Sequence, residues 1–427
     1  MTGLARAGKT AFLTSVAANL LALGAGRPAL PLLRQRLGGR LSVGLAPVGA
    51  SEVPRFDHAA HLAALAREPA EWPARTDATG LLALELVVER TGFATVLPAQ
   101  RVRLEFLDYP GEWLLDLPLL RLDFSAWSEQ VFRRLEGRVE AAEFLAFTTA
   151  LPAGAGADEA LAAAGHRLYR AALVRLQDAG FSMLQPGRFL MPAPGPEPGW
   201  TPFFPHRGTG GLHGLLERRY RAYVAAVERD LSDPLFGRMD RLLVLVDVLS
   251  ALSAGAAAFA DMRAALMEVA GALRWRWSLI EFVGALARLE APPRVVSRVV
   301  FAATKADHVG QRQRGNLVAL LRSIIEPVVP VRSAYFAMAS VLCTEDATMM
   351  LEGRPVSAVR GRPVGELVMA KSYPGEVPGA APDSSFWTHP FYALPAFQPV
   401  HLADGGRAGI PNLEMDAVLL ALLDDVL

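Results

Sequence analysis

The run Gly3-Leu4-Ala5-Arg6-Ala7-Gly8-Lys9-Thr10 constrains the chain more than any other feature. Two glycines bracket four residues and are followed at once by lysine and threonine, the pattern G-x-x-x-x-G-K-[ST]. Glycine tolerates left-handed backbone, so such a loop can turn its N–H groups inward onto an anion. A helix is expected directly after it, because Thr10 to Gly26 carries no charge and no proline. The positive end of that helix would face the same anion. A loop of this kind belongs at the C-terminal end of a strand. Only Met1 and Thr2 precede Gly3, so the first strand is expected to be missing.

The pattern assigns roles. Gly3, Ala5, Arg6, Ala7, Gly8 and Ala11 form the loop and first helical turn around a nucleotide's phosphates. Lys9 reaches the β- and γ-phosphates, and Thr10 offers its hydroxyl to Mg²⁺. An ordinary glycine-rich turn is the alternative. Composition bears on the choice. Of 43 basic residues only Lys9, Lys305 and Lys371 are lysines. A compact ammonium on a flexible stem suits a tight phosphate loop, and arginine's planar fork does not.

Asp108-Tyr109-Pro110-Gly111 follows the apolar strand pattern Val102 to Leu107. It fits D-x-x-G, in which Asp108 holds Mg²⁺ and the Gly111 N–H meets the γ-phosphate. A strand-terminating turn is the alternative. Thr304-Lys305-Ala306-Asp307 follows a second apolar strand, Val295 to Ala303. It fits the guanine-reading pattern [N/T]-K-x-D. A carboxylate at Asp307 can accept from guanine N1–H and from its exocyclic amine, and adenine would leave it unpaired. The Lys305 stem would lie along the base, with Thr304 in place of the commoner asparagine. Ser340 and Val341 end a last strand and could offer a backbone N–H to the base oxygen. Thr76 is the candidate for a mobile Mg²⁺ ligand, with Thr79 competing and a plain loop threonine as the alternative. Arg75 is the candidate arginine in cis, with a solvated loop arginine as the alternative. His58 and His61 lack a third ligand nearby and read as a surface pair.

Strands alternate with helices, which predicts an α/β fold with a mostly parallel sheet flanked by helices, interrupted by a large helical insertion. The expected divisions are 1–115 and 239–350 for the core, 116–238 for the insertion, and 351–427 for hairpins, loops and a closing helix. Residues 38–80 read as mixed and loop-rich. The runs Thr10 to Gly26 and Leu242 to Ala260 read as a buried helix and a buried strand with its loop, not membrane spans. A formal net charge of zero argues against a general role on nucleic acid. The single cysteine, Cys343, excludes an internal disulfide and fits a reducing, cytoplasmic setting. No secretory signal is expected.

The three motif runs, with the long stretch Asp108-Tyr-Pro-Gly-Glu-Trp-Leu-Leu-Asp-Leu-Pro118 and Ala303-Thr-Lys-Ala-Asp-His-Val309, resemble the YcjX-like family of bacterial P-loop GTPases. The similarity extends over most of the chain, including Gly187 to Leu190 and Arg354 to Pro363. The resemblance implies a Ras-like core split by a helical domain, binding of GTP and GDP with Mg²⁺, a link to stress responses, and a small inner-membrane partner protein that would bring a cytoplasmic protein to the membrane. The family's roles carry over to Lys9, Thr10, Asp108, Lys305 and Asp307. Glu112 stands where many small GTPases place a water-orienting glutamine. A carboxylate there is repelled by the γ-phosphate, so hydrolysis is expected to be slow and to need Arg75, an insertion residue or a partner. A nucleotide-bound scaffold without turnover and an ATP-using enzyme are the competing readings.

Overall fold

The uncharged stretch after the phosphate-loop motif forms a helix, Lys9–Gly24, buried on nearly every side from Phe12 to Leu23. Its residues have no polar face to turn outward, so the fold covers it all round. The computed structural model describes residues 1–4, 6–37, 41–48, 53–73, 80–89, 98–108, 110–192, 198–232, 239–287, 296, 298–327, 333–388 and 393–427. Contacts divide the chain into two units. One comprises Met1–Pro110, Arg241–Ser253 and Ser297–Leu427, and the other Gly111–Asp240 and Ala254–Val296. Thus the second unit starts at Gly111 and takes a second, later stretch of chain in addition to 116–238.

The first unit is built on strands. β1 (Thr2–Gly3), β5 (Arg241–Val246), β6 (Arg298–Ala303) and β7 (Ser333–Ala337) form a parallel sheet in the order β1-β5-β6-β7. β5 and β6 read as nearly unbroken apolar runs because both faces of a parallel sheet are covered. β2 (Leu41–Leu45), β3 (Gly80–Val88) and β4 (Gln100–Asp108) form an antiparallel sheet. β8 (Thr344–Leu351), β9 (Arg354–Gly361) and β10 (Ala370–Ser372) form another.

The first strand, expected to be missing, is present as a two-residue element. Thr2 and Gly3 pair with Val244 and Leu245, and the Met1 amino group donates to Leu107 O of β4 at 3.3 Å. A Cβ on Gly3 would stand 2.4 Å from Leu245 O, so only glycine lets the two backbones approach this closely.

Phe12, Leu13, Val16 and Leu20 of the first helix share a core with Leu82, Leu84 and Leu86 of β3, Leu243 and Leu245 of β5, and Met415, Val418 and Leu419 of the closing helix Met415–Leu423. Each such side chain contributes about 1.5–3 kcal/mol on burial. Asp416 fixes the closing helix to the short helix Pro31–Leu37 by accepting from Leu32 N and Leu33 N at 2.6 and 2.9 Å.

The second unit is helical. Its longer helices are Phe124–Leu135, Glu159–Asp178, Gly211–Val227 and Ala256–Ala287, preceded by a 3₁₀ stretch, Gly111–Arg121. Asp123 and Asp158 cap two of them by accepting from Ala126 N, and from Ala160 N and Leu161 N. Their facing sides meet in an aromatic core of Trp127, Tyr169, Phe203, Tyr220 and Tyr223. Among the described residues, no helix is long and apolar enough to cross a membrane.

Candidate functional site

Gly3, Leu245, Ala302 and Phe336 lie in one row across β1, β5, β6 and β7. The segments that leave these strands therefore emerge at one sheet edge: the phosphate loop after Gly3, Asp247 after β5, Thr304 after β6 and Met338 after β7. Parallel sheets bind ligands at this carboxyl edge.

The phosphate loop takes left-handed backbone at Arg6, φ 61°, and at Gly8, φ 80°. Gly8 caps the helix and has no side chain to occupy the first-turn N–H groups. Lys9 Nζ donates to Gly3 O and Leu4 O, each at 3.2 Å, so the ammonium folds over its own loop. Thr10 is half-buried in the first helical turn, and its carbonyl accepts from Thr14 Oγ1 at 2.8 Å. Ala7 is buried, and Ala11 packs with Ala18, Leu65, Val341 and Ile410.

Asp108 ends β4, opposite Gly80, and is 1% exposed. Hydroxyl and carboxylate oxygens such as those of Thr10 and Asp108 are the hard donors that suit Mg²⁺. Ala5, Arg75, Thr76, Thr79 and Tyr109 lie outside the described residues.

Gly111 and Glu112 belong to the helical unit. Glu112 is buried, and its carboxylate accepts from Gln177 Nε2 at 3.3 Å. Gly187 packs directly on the Glu112 carbonyl, where a Cβ would come within 1.9 Å. Trp113 is also buried. Its indole N–H donates to Met191 O at 2.7 Å, and the Arg188 guanidinium lies 4.8 Å from its ring.

The segment Thr304-Lys305-Ala306-Asp307 is held on three sides. Thr304 N donates to Val246 O at 2.9 Å, tying the loop to β5. Lys305 adopts φ 60°, a left-handed conformation that costs a non-glycine residue energy and recurs at functional sites. Its ammonium stands 2.5 Å from Asp247 Oδ2 and 3.0 Å from Ser250 Oγ. Met338 N donates to Ala303 O, and Ala306 N to Met338 O, so the loop bearing Ser340 and Val341 is stitched to it. Asp307 is 2% exposed. Its Oδ2 accepts from Cys343 N at 2.9 Å and from the Cys343 thiol at 3.0 Å, and Oδ1 lies 3.2 Å from His308 Nδ1. Burial pushes the Asp307 carboxyl up, but the hydrogen bonds and charge of His308 and the hydrogen bonds of Cys343 together hold it below the ordinary range.

Two residues of this arrangement carry no motif. Asp247 announces itself only as the single charge in the apolar run from Leu242 to Ala260. Cys343 stands out only as the single cysteine, with nothing to tie it to Asp307.

An α/β core with a parallel four-stranded sheet, a left-handed Gly-Lys-Thr loop leading into a buried helix, and loops gathered at the carboxyl edge after each strand defines a P-loop protein of the Ras-like fold class with added helices. The whole chain, residues 1–427, matches the YcjX-like family, DUF463, and the protein belongs to that family. It is 32% identical over 453 residues to the Ras-like GTPase YcjX of Escherichia coli K12, covering all of this chain and 95% of that one. It is 30% identical over 473 residues to the Ras-like GTPase YcjX of Shewanella oneidensis MR-1, covering all of this chain and 94% of that one.

Proposed function

We propose that this protein binds GTP and GDP with Mg²⁺ at the carboxyl edge of the parallel sheet and hydrolyses GTP slowly. The observation that carries this reading is the shared edge. Asp307, on a left-handed Lys305 turn, stands after β6 in the same row of strands that ends in the Gly8-Lys9-Thr10 loop. Phosphates would lie on the loop N–H groups and Lys9, Mg²⁺ on Thr10 and Asp108 with Thr76 completing the set, and the base on Asp307 with Thr304, Lys305, Ser340 and Val341 around it. Bound Mg²⁺ would neutralise charge on the terminal phosphates. Lys9 would stabilise charge on the same oxygens, with Arg75 as a candidate second cation.

The test is base exchange. Asp307→Asn should weaken GDP and strengthen xanthosine diphosphate, because an amide can donate to the xanthine oxygen where a carboxylate accepts from the guanine amine. An unchanged base preference sinks the guanine assignment. An ATP-using enzyme is disfavoured by the same carboxylate, which adenine would leave unpaired.

Glu112 favours a second reading, a nucleotide-bound scaffold with negligible turnover. A carboxylate hydrogen-bonded by Gln177 is poorly suited to orient water beside a polyanion. Single-turnover GTP hydrolysis by wild type and Glu112→Ala decides. Slow and equal rates support assistance from elsewhere, and a fast wild type that collapses on substitution makes Glu112 catalytic. A regulatory role in stress response with a small inner-membrane partner rests on the family resemblance. Co-purification of such a protein from the membrane fraction in a nucleotide-dependent manner tests it.

A further inference from the structure

The β8–β9 hairpin is an addition to the parallel sheet, and one group of its contacts falls on the short segment Ala306 to Arg314. Thr344 Oγ1 donates to the Asp307 carbonyl, and Cys343, immediately before β8, donates twice to the Asp307 carboxylate. Asp346 accepts from Gln311 N and from Arg314 Nη2, each at 2.9 Å. Arg314 Nε in turn donates to Ala306 O at 3.1 Å. Gly310 lies so close to β9 that a Cβ would meet Ser357 Oγ at 2.2 Å. Behind these contacts Cys343, Val359 and Phe397 form a small apolar cluster, and the Phe397 ring meets His308 edge-on at 5.4 Å.

We propose that this hairpin is a specificity device: Cys343 and His308, backed by Phe397, fix the Asp307 carboxylate in the one orientation that reads guanine. The inference rests on the guanine assignment above. A carboxylate offers about four lone-pair positions. Cys343 takes two on Oδ2 and His308 faces one on Oδ1, so the one position left over lies on Oδ1 in a set direction, where the N1–H and amine of guanine would converge. A carboxylate held this way has already lost the rotational freedom that binding would otherwise cost. Cys343 and His308 are positioning residues and do not themselves touch the base.

The same trio, Asp307, His308 and Cys343, has ligand atoms all within 4.8 Å of one another and could be taken for a metal site. The hydrogen-bonded reading is favoured because the Cys343 backbone N–H and thiol both already donate to Asp307 Oδ2, at 2.9 and 3.0 Å.

The experiment compares affinities for GDP and inosine diphosphate, which lacks the exocyclic amine. Their ratio is insensitive to the folded fraction of a variant. Wild type should prefer GDP. Cys343→Ala and His308→Ala should each reduce that preference, by roughly tenfold in the double variant, and Cys343→Ser, which keeps a donor, should restore what Cys343→Ala loses. An unchanged ratio, with both affinities falling together, overturns the proposal and leaves only a structural role. Asp307→Asn separates the two levels. If it shifts preference to xanthosine diphosphate while the positioning variants leave the ratio intact, positioning fails alone. If it does not, the guanine reading fails first. Zinc titration supplies the last arm. Stoichiometric zinc binding that Cys343→Ser abolishes makes the trio a metal site and overturns the proposal, and no such binding is expected.

Discussion

Asp247 Oδ2 and Lys305 Nζ stand 2.5 Å apart, joining the end of β5 to the left-handed turn after β6. Asp247 also accepts from Ser250 N at 3.0 Å and Ser250 Oγ at 2.6 Å, so one carboxylate caps a helix and holds a lysine. Two substitutions separate these jobs. Asparagine keeps the cap and loses the charge, so Asp247→Asn should cost at most about 1 kcal/mol, the partner lysine being partly exposed. Asp247→Ala loses both and should cost about 2 kcal/mol. Urea unfolding measures the difference. Equal costs for the two variants would mean that the cap contributes nothing, and a costless Asp247→Asn would mean the same of the ion pair.

Asn19 links the phosphate-loop helix to the chain's far end. Its amide donates to Ile410 O at 3.1 Å and accepts from Ile410 N at 3.3 Å, with both residues buried. Ile410 lies three residues before Leu413, which exchanges backbone hydrogen bonds with Ala339 beside Ser340. Asn19→Leu leaves two buried backbone groups unpaired and should cost about 2–4 kcal/mol. Denaturant midpoints check this, and a loss under 1 kcal/mol would mean that water replaces the side chain.

Gly3 and Gly8 are required for different reasons, and alanine distinguishes them. At Gly3 the added Cβ meets backbone at 2.4 Å, so Gly3→Ala should displace β1 and reduce nucleotide affinity strongly, by tenfold or more as an order of magnitude. At Gly8 no heavy atom lies within 4 Å, and only the left-handed backbone penalises alanine, by about 1–2 kcal/mol. Nucleotide titration of both variants should rank Gly3→Ala as the more damaging. The opposite ranking would contradict the close approach to Leu245.

Asp116 gives the helical unit a pH dependence. Burial raises its pKa to about 6 against the opposing hydrogen bonds of Tyr223 Oη and Gly187 N and the charge of Arg188. The folded state then holds a proton that the unfolded state releases near the ordinary value of 3.8. Between about pH 4 and 6 folded protein binds more protons, so this group's contribution falls as pH rises and is least favourable above pH 6. The total change is of order 3 kcal/mol. Unfolding free energies of wild type minus Asp116→Asn, measured from pH 4 to 7, should show this slope. A difference that is flat across the range rules it out.

The strands β3, β4, β5 and β6 were legible because their apolar runs are local, and so was the helix after Gly8. β2 was not. Leu41 to Leu45 alternates apolar with small residues, but over only five positions and with none fully buried, so it is a strand chiefly through pairing with β3. In the helical unit's later stretch, residues 256 to 289 read as helix from their own sequence, but nothing in them states which unit they join. The sequence alone determined the α/β class and the chemistry offered by Lys9, Thr10, Asp108, Lys305 and Asp307, because loop conformation and donor type are set within a few neighbouring residues. Tertiary structure alone decided the partners: Asp247 for Lys305, Cys343 for Asp307, and Ile410 for Asn19. These pairs are 58, 36 and 391 residues apart in the chain, and a contact at such separation exists only once packing has brought its two ends to one place.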